Sequence, residues 1–453
     1  MSIQLAEQPT PESSSPIPIL ERYYGMLSDS ASTFPKPDLA VEFEPTFELP
    51  VLDDRMRTFL NAATASFVEL GTYSGIPLRV MDLRQNSGTQ TTKTFASTII
   101  VARAVNHIQK TGQPILLFSP SSGNKAIALR DAVERALSAG LANPTQLRIA
   151  TLTPLKTAQK LRRTILFDDP ELRNLNPVFV LDHPTPEHVK QIGTEFKQLY
   201  RERGEAGRPK LWHSLKLDNY RFSDQARAFF DLEFGSAGKP KRRTLHVHAV
   251  SSAYGLLGYQ TGIDTLRKSG IKTAEAKFLM VQHLATSDMV RHLTTNSFEE
   301  SNDPSYHLTS TGEWRQFSNP HFPMKTWNPK EVLENTFYTQ KPATADEMSS
   351  LIHSHGGSGI VVSPLECMER YAECRAILEN SSVTLPADPR ELEEWSLVMA
   401  ITGLLNAIDR GLVKDVDGCT IHASGSYSLH DYTPIDANDL KKVTSARQMI
   451  RAV

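Results

Sequence analysis

The chain is expected to be an α/β protein with two open, mostly parallel twisted sheets and helices on both faces. Three observations lead there. Strand-like and helix-like segments alternate from about residue 77. A polar linker, residues 204–210, precedes a second series of the same kind. The chain has 453 residues, enough for two substantial cores. Such alternation selects parallel strands because each crossover is a helix that must bury one face on the sheet.

In the first series, residues 77–82 read as a short strand. Residues 95–109 carry apolar side chains at Phe95, Ile99, Ile100, Ala102, Val105 and Ile108, a helical stripe that Gly112 stops. Residues 115–118 are a buried strand, and a second helix covers 125–139, closed by Gly140. A strand at 147–152, a helix at 157–166, a strand at 178–181 and a helix at 186–203 follow. The second series holds a helix at 223–234, a strand at 245–250, a turn and helix over 251–269, and a strand at 277–282. Residues 297–330 lack periodicity and read as a long insertion or lid. Order returns at 347–353, at the strand 359–362, at 392–410 and at the strand 419–422. Before all of this, residues 1–50 form a flexible or extended N-terminal arm, Pro-rich over 35–50 with Phe43, Phe47 and Leu49 as anchors.

Bulk properties exclude several classes. A formal net charge of -2 gives no global attraction to nucleic acid or an anionic membrane. No apolar run approaches the length of a membrane span. The first residues lack the basic and apolar regions of a secretory signal. The three cysteines, Cys367, Cys374 and Cys419, form neither a disulfide framework nor a zinc pattern, which fits a reducing cytoplasm. Cys367 and Cys374, seven apart, read as one buried helix face. No metal site is expected: His353 and His355 lack a nearby third ligand and read as part of a loop. His246 and His248 share a strand face and read as core or interface residues. The basic run from Lys239 to Arg243 reads as a solvated loop. Ser122 lacks the Gly-x-Ser-x-Gly setting of a hydrolase nucleophile, and the following Gly-Asn-Lys lacks the spacing of a nucleotide loop.

The chemistry-bearing features are a lysine and three small-residue turns. Lys93 opens the 95–109 helix after the polar turn 86–92. The turns are Ser121-Ser122-Gly123-Asn124, Ser251-Ser252-Ala253-Tyr254-Gly255 and Ser424-Gly425-Ser426-Tyr427-Ser428. Each sits where a strand meets a helix or turn, with backbone N–H groups exposed toward anionic oxygen.

In that succession the chain resembles the fold-type II pyridoxal-phosphate enzymes, the threonine synthases above all. Thr89-Gln-Thr-Thr-Lys93-Thr-Phe95 resembles the family's lysine segment, and residues 121–124 its Ser-Thr-Gly-Asn turn. Asn219-Tyr220-Arg221 with Asp224-Gln225 resembles the Asn-Pro-Tyr-Arg and Gly-Gln segments. Residues 251–255 fall at the phosphate loop, 359–364 at a late strand entering a proline turn, and 419–425 at the last core strand and its turn. The agreement spans residues 75–430.

The resemblance implies pyridoxal 5'-phosphate as cofactor. Lys93 is the residue that forms the Schiff base and moves the proton at the substrate's Cα. Asn124 bonds the ring oxygen; Ser251, Ser252, Ala253, Tyr254 and Gly255 cradle the phosphate; Ser424 faces the pyridine nitrogen. Thr92, Ser121, Ser122 and Gly123 hold the substrate. A hydroxyl at the pyridine nitrogen suits elimination or replacement at Cβ or Cγ better than transamination. The implied domains are a larger one, 51–92 with 215–453, and a smaller mobile one, 93–214, that closes on substrate. A small amino-acid substrate and a homodimer follow from the same resemblance, with no nucleic-acid or membrane partner.

The chain departs from the family at two places. Thr94 and Phe95 stand where an Asp-Arg pair commonly follows the lysine, and the phosphate loop carries Ser251, Ser252 and Tyr254 where Gly and Asn are usual, leaving Gly255 as the residue suited to positive φ. These departures, with the 297–330 insertion, point away from a housekeeping threonine synthase. They leave open a specialised lyase or transferase, a non-catalytic binding relative, and another α/β enzyme using the same turns for a different phosphate.

Overall fold

A computed structural model of the chain describes residues 15–37, 42–121, 123–183, 188–204, 207–213, 216–235, 238, 242–379 and 381–453. Ser122, residues 1–14 and 38–41 of the expected N-terminal arm, and residues 239–241 of the basic run lie outside them. The chain divides into two compact units. One comprises Met1–Ile17, Thr64–Gln85 and Asp224–Ser428; the other comprises Pro18–Ala63, Asn86–Ser223 and Leu429–Val453.

In the first unit, strands run in the order Thr64–Tyr73, Ile76–Asp82, Gly418–Ala423, Thr244–Ala249, Ala276–His283, Gly357–Val362. All neighbours pair parallel except the first two, which form a hairpin. The hairpin turns through Ser74 and Gly75 at φ 48° and 78°, the double left-handed geometry that matches strand twist. Every residue of Thr244–Ala249 and Gly418–Ala423 is buried, as strands covered on both faces require. The apolar helix Ser396–Asp409 packs there, with Leu397, Ile401 and Leu404 in one core with Val247, Val281 and Ile421. Gly403 permits the approach: a Cβ on it would stand 2.5 Å from Cγ1 of Val281.

In the second unit, five strands run in the order Lys441–Val443, Val178–Leu181, Leu147–Pro154, Ile115–Pro120, Lys210–His213, all parallel. Phe118, Leu152, Phe179 and Phe196 centre its core. The helices Lys93–Thr111 and Asn124–Ser138 end at the expected glycines, with Gly112 and Gly140 at φ 70° and 66°.

Several expectations change. The helix expected at 157–166 is two short pieces, Leu155–Lys160 and Ile165–Asp168. Between them the backbone is extended, because Leu161 accepts a hydrogen bond from Ile435 and Arg163 donates to Thr433; tertiary pairing outweighs local helix propensity. The linker contains a strand, Lys210–His213, paired with Ile115–Phe118. The helix expected from 223 begins at Leu217 and so includes Asn219 to Arg221. The insertion carries a small antiparallel sheet of two-residue strands, His307–Leu308, Trp314–Arg315 and Lys325–Thr326. Cys367 and Cys374 are fully buried but lie on separate helices, Pro364–Glu369 and Tyr371–Leu378, which divide at Arg370. His353 and His355 end the helix Ala345–His355 rather than lying in a loop. The arm is not uniformly extended, since Ile19–Arg22 and Tyr24–Ser30 are helical with Ile19, Leu20 and Leu27 buried.

Candidate active site

Lys93 is the first residue of its helix, after Thr92. The turn before it is locked by hydroxyls: Thr94 donates to the Thr91 carbonyl at 2.7 Å and meets the Thr89 hydroxyl at 2.6 Å. Gln90 takes a left-handed conformation, φ 49°. Thr92 is buried and Lys93 half-buried. The Lys93 Nζ lies 5.5 Å from the centre of the Tyr220 ring, within cation–π range.

The Ser121–Asn124 turn leaves the carboxyl end of the buried strand Ile115–Pro120, where open α/β sheets gather ligand sites. Ser121 donates its N–H to the Leu152 carbonyl at 2.9 Å. Its hydroxyl oxygen accepts from the N–H of Ala126 at 3.1 Å and of Gly123 at 3.4 Å. The Ser121 hydroxyl therefore orders the helix start as well as facing the turn. Gly123 stands at φ 130°, a backbone that side-chain-bearing residues rarely adopt. Asn124 begins the next helix and is buried. Its neighbour Lys125 places Nζ 5.2 Å from the same Tyr220 ring. Tyr220 thus brings the Lys93 amine and the start of the Asn124 helix together. Burial, and then the Lys93 charge, pull the Lys125 pKa down to about 7. Sequence reasoning passed over both Lys125 and Tyr220. The available signals were a lysine directly after Ser-Gly-Asn and a tyrosine inside the segment that resembles the synthases.

In the first unit, Thr244–Ala249 and Gly418–Ala423 are adjacent parallel strands, so the 251–255 and 424–428 turns leave the same sheet edge side by side. Ser251 and Ser252 are half-buried. The Ser252 carbonyl is tied by the Thr344 hydroxyl at 2.8 Å. The left-handed residue is Ala253, φ 52° and ψ 20°, immediately before the helix Tyr254–Lys268. This corrects the expectation that Gly255 would carry the positive φ. Burial raises the Tyr254 phenol pKa. Gly255 is required for space: a Cβ would stand 2.6 Å from Nη1 of Arg227 and 3.2 Å from Nε2 of His248. Arg227 pairs with Asp224 at 3.1 Å, both almost wholly buried. A guanidinium held by its own carboxylate thus backs the turn.

Ser424 is buried at the end of its strand. The following Gly425 carbonyl accepts the Leu397 N–H at 3.1 Å, so this turn also caps the core helix Ser396–Asp409. Ser426 receives a hydrogen bond from Arg84, which pairs with Asp82 at 2.9 Å. Below the turns, Nδ1 of His246 meets Nε2 of His422 at 3.0 Å. Asp231 accepts from Tyr259 at 2.6 Å and from Arg79 at 2.7 Å. Burial lowers the His246 pKa to about 4 and holds that of His422 well below the usual histidine range. These rings are neutral core groups near pH 7. Among the described residues no cluster of His, Cys, Asp and Glu suits a metal ion, and no helix is long and apolar enough to cross a membrane.

Each unit by itself holds chemistry that fits a part of an aldehyde cofactor with an acidic tail. The second unit has an amine at a helix start beside a Gly-Asn turn, which suits an aldehyde. The first has a turn over a buried arginine, with a hydroxyl on the neighbouring strand, which suits an acidic group.

Comparison with curated proteins finds no match. Among solved structures, threonine synthase from yeast is 12% identical with a TM-score of 0.52, over 86% of this chain and 80% of that one. A pyridoxal-phosphate-bound threonine synthase from Brucella melitensis is 11% identical, TM-score 0.52, over 88% and 81%. The Escherichia coli threonine synthase is 10% identical, TM-score 0.51, over 91% and 78%. At these identities the likeness is one of fold, the two-sheet fold of type II pyridoxal-phosphate enzymes. A family model matches residues 17–453, nearly the whole chain. The chain belongs to that family, DUF6002, a family of unknown function.

Proposed function

We propose that the protein is a pyridoxal-phosphate-dependent lyase or transferase that eliminates or replaces a leaving group at Cβ or Cγ of an amino acid. The observation that carries this reading is the convergence of Lys93, the first residue of its helix, and the Asn124 helix start on Tyr220. The shared fold supports it.

When bound, pyridoxal phosphate supplies an aldehyde that condenses with amines and a ring that disperses the electron pair left at Cα. The chain supplies everything else. Lys93 would hold the aldehyde carbon, and its amine would be the base that removes and returns the substrate's Cα proton. The N–H groups of Gly123 and Asn124, with the Ser121 hydroxyl and Thr92, hold the substrate carboxylate at a helix N-terminus. Ser122 belongs to the same proposed set. Asn124 would also donate to the ring oxygen. The turn Ser251, Ser252, Ala253, Tyr254 and Gly255 would take the phosphate, its N–H donors reinforced by the Arg227 guanidinium behind it. Ser424 gives the pyridine nitrogen a hydroxyl partner rather than a carboxylate, which limits electron withdrawal and favours loss of a leaving group. The reading includes a homodimer in a reducing compartment.

The test is cofactor uptake followed by exchange. Purified protein given pyridoxal phosphate should develop a visible absorption band and stay coloured through gel filtration. It should then exchange the α-hydrogen of at least one of the acetyl, succinyl or phosphoryl esters of serine and homoserine in deuterated water. Protein that remains colourless at millimolar cofactor would contradict the reading.

A further inference from the structure

Lys125 follows the Ser-Gly-Asn turn directly, and the proposed reaction leaves it without a task. Its side chain is buried although it ends in an amine. That amine and the Lys93 amine lie 5.2 Å and 5.5 Å from the centre of one ring, Tyr220. Both lysines stand in the first turn of a helix, Asn124–Ser138 and Lys93–Thr111. The N–H dipoles there disfavour a positive charge. Two amines at one ring, each at the electropositive end of a helix, are poorly placed as a pair of cations and well placed as nucleophiles.

We propose that Lys125 is a second aldehyde-reactive amine beside Tyr220, able to take the carbonyl carbon that Lys93 takes. The inference rests on the reading that the site binds pyridoxal phosphate through Lys93. The step balances without any oxidant. The lone pair of neutral Nζ attacks the aldehyde carbon, a carbon–nitrogen double bond forms, and the aldehyde oxygen leaves as water with the two amine hydrogens.

The surroundings favour the neutral amine. Burial is the larger cause of the lowered Lys125 pKa, about 7, and the Lys93 charge the smaller. Lys93 faces it from the Lys93–Thr111 helix and Tyr220 from Leu217–Phe234. His213 approaches from the strand Lys210–His213, its own pKa lowered to about 3 by burial, then by Lys197 and Lys125. Lys160 adds a further cationic residue behind the turn, its Cβ 3.9 Å from where a Gly123 Cβ would stand. Lys125 therefore offers an aldehyde at the Tyr220 ring an amine with a substantial neutral fraction at pH 7.

The experiment uses the full chain with pyridoxal phosphate as probe, borohydride reduction and peptide mapping by mass spectrometry. Wild type, Lys93→Ala, Lys93→Arg and Lys93→Ala/Lys125→Met are compared, each first checked for cooperative unfolding. Lys93→Arg keeps a cation at the site and guards against a misfolded alanine variant. Label is expected on the Lys93 peptide in wild type and on the Lys125 peptide in both single variants. In Lys93→Arg, which keeps the charge at position 93, its yield on Lys125 should rise about tenfold from pH 6 to pH 8 and then level off, as the neutral fraction of an amine titrating near 7 does; in Lys93→Ala the rise should come at higher pH. An ordinary lysine would keep gaining label well above pH 8. The double variant should retain only the diffuse background of surface lysines. Folded single variants with that background alone, beside a wild type labelled at Lys93, would overturn this inference and leave the proposed function standing. A wild type labelled at neither lysine would overturn both.

Discussion

The turns at 121–124 and 251–255 both leave buried parallel strands and open helices, yet they use glycine in opposite ways. In the first, glycine supplies a conformation: Gly123 stands at φ 130°, and an added Cβ would meet Thr157 only at an ordinary 3.7 Å. In the second, glycine supplies space: Gly255 is pressed against Arg227 and His248, and the left-handed position falls on Ala253. An alanine held there costs roughly 1–2 kcal/mol. The amine turn is therefore built with residues suited to their backbone. The proposed phosphate turn tolerates local strain, and a buried Asp224–Arg227 pair supports it from behind. A turn's glycine content alone does not reveal which of these two needs it meets.

That contrast can be broken at graded points. The largest effect is expected from Asp224→Ala, which strands the Arg227 charge in the interior. Unfolding in urea should show a loss of about 3–5 kcal/mol, with weakened cofactor uptake. Gly255→Ala comes next, at about 1–3 kcal/mol from overpacking, and it should weaken phosphate-dependent binding more than it weakens labelling of Lys93 by pyridoxal without phosphate. Equal losses for the two probes would remove Gly255 from the phosphate site. Two backbone substitutions should have opposite signs, the first comparable to Gly255→Ala and the second the smallest effect. Gly123→Ala destabilises by roughly 1–3 kcal/mol through backbone strain, whereas Ala253→Gly stabilises by under about 1 kcal/mol, since relief of strain slightly exceeds the added chain entropy. If Ala253→Gly destabilised, the strain assigned to that position would be wrong.

Much of the architecture was legible because its strands are short, apolar and bounded by turns, and its long helices end at Gly112 and Gly140. What escaped reading depends on distant partners. Lys210 to His213 looks like a linker until Ile115 to Phe118 pair with it. Residues 157–166 have a helical pattern, but residues 433–435 hold Leu161 and Arg163 extended. The Thr64–Tyr73 strand is a different case, since Ser-Gly between two β-rich runs is a hairpin signal that sequence alone carries. At the candidate site, the lysine and the Ser-Gly-Asn turn stand out by residue type and order. Lys125 and Tyr220 lie in or beside those segments, but their shared surroundings were not legible, because a buried lysine is indistinguishable in sequence from a surface one. The left-handed Ala253 was illegible for the same physical reason that makes it strained: residue preference pointed to Gly255.

The central claim is that the Lys93 amine is aimed at an aldehyde cofactor. Its most direct test is the identity of the modified lysine in unaltered protein, incubated with pyridoxal phosphate near neutral pH, reduced with borohydride and digested. The account predicts one dominant pyridoxyl modification, on the peptide containing Lys93. Label spread evenly over surface lysines, or concentrated on a lysine away from Tyr220, would contradict it.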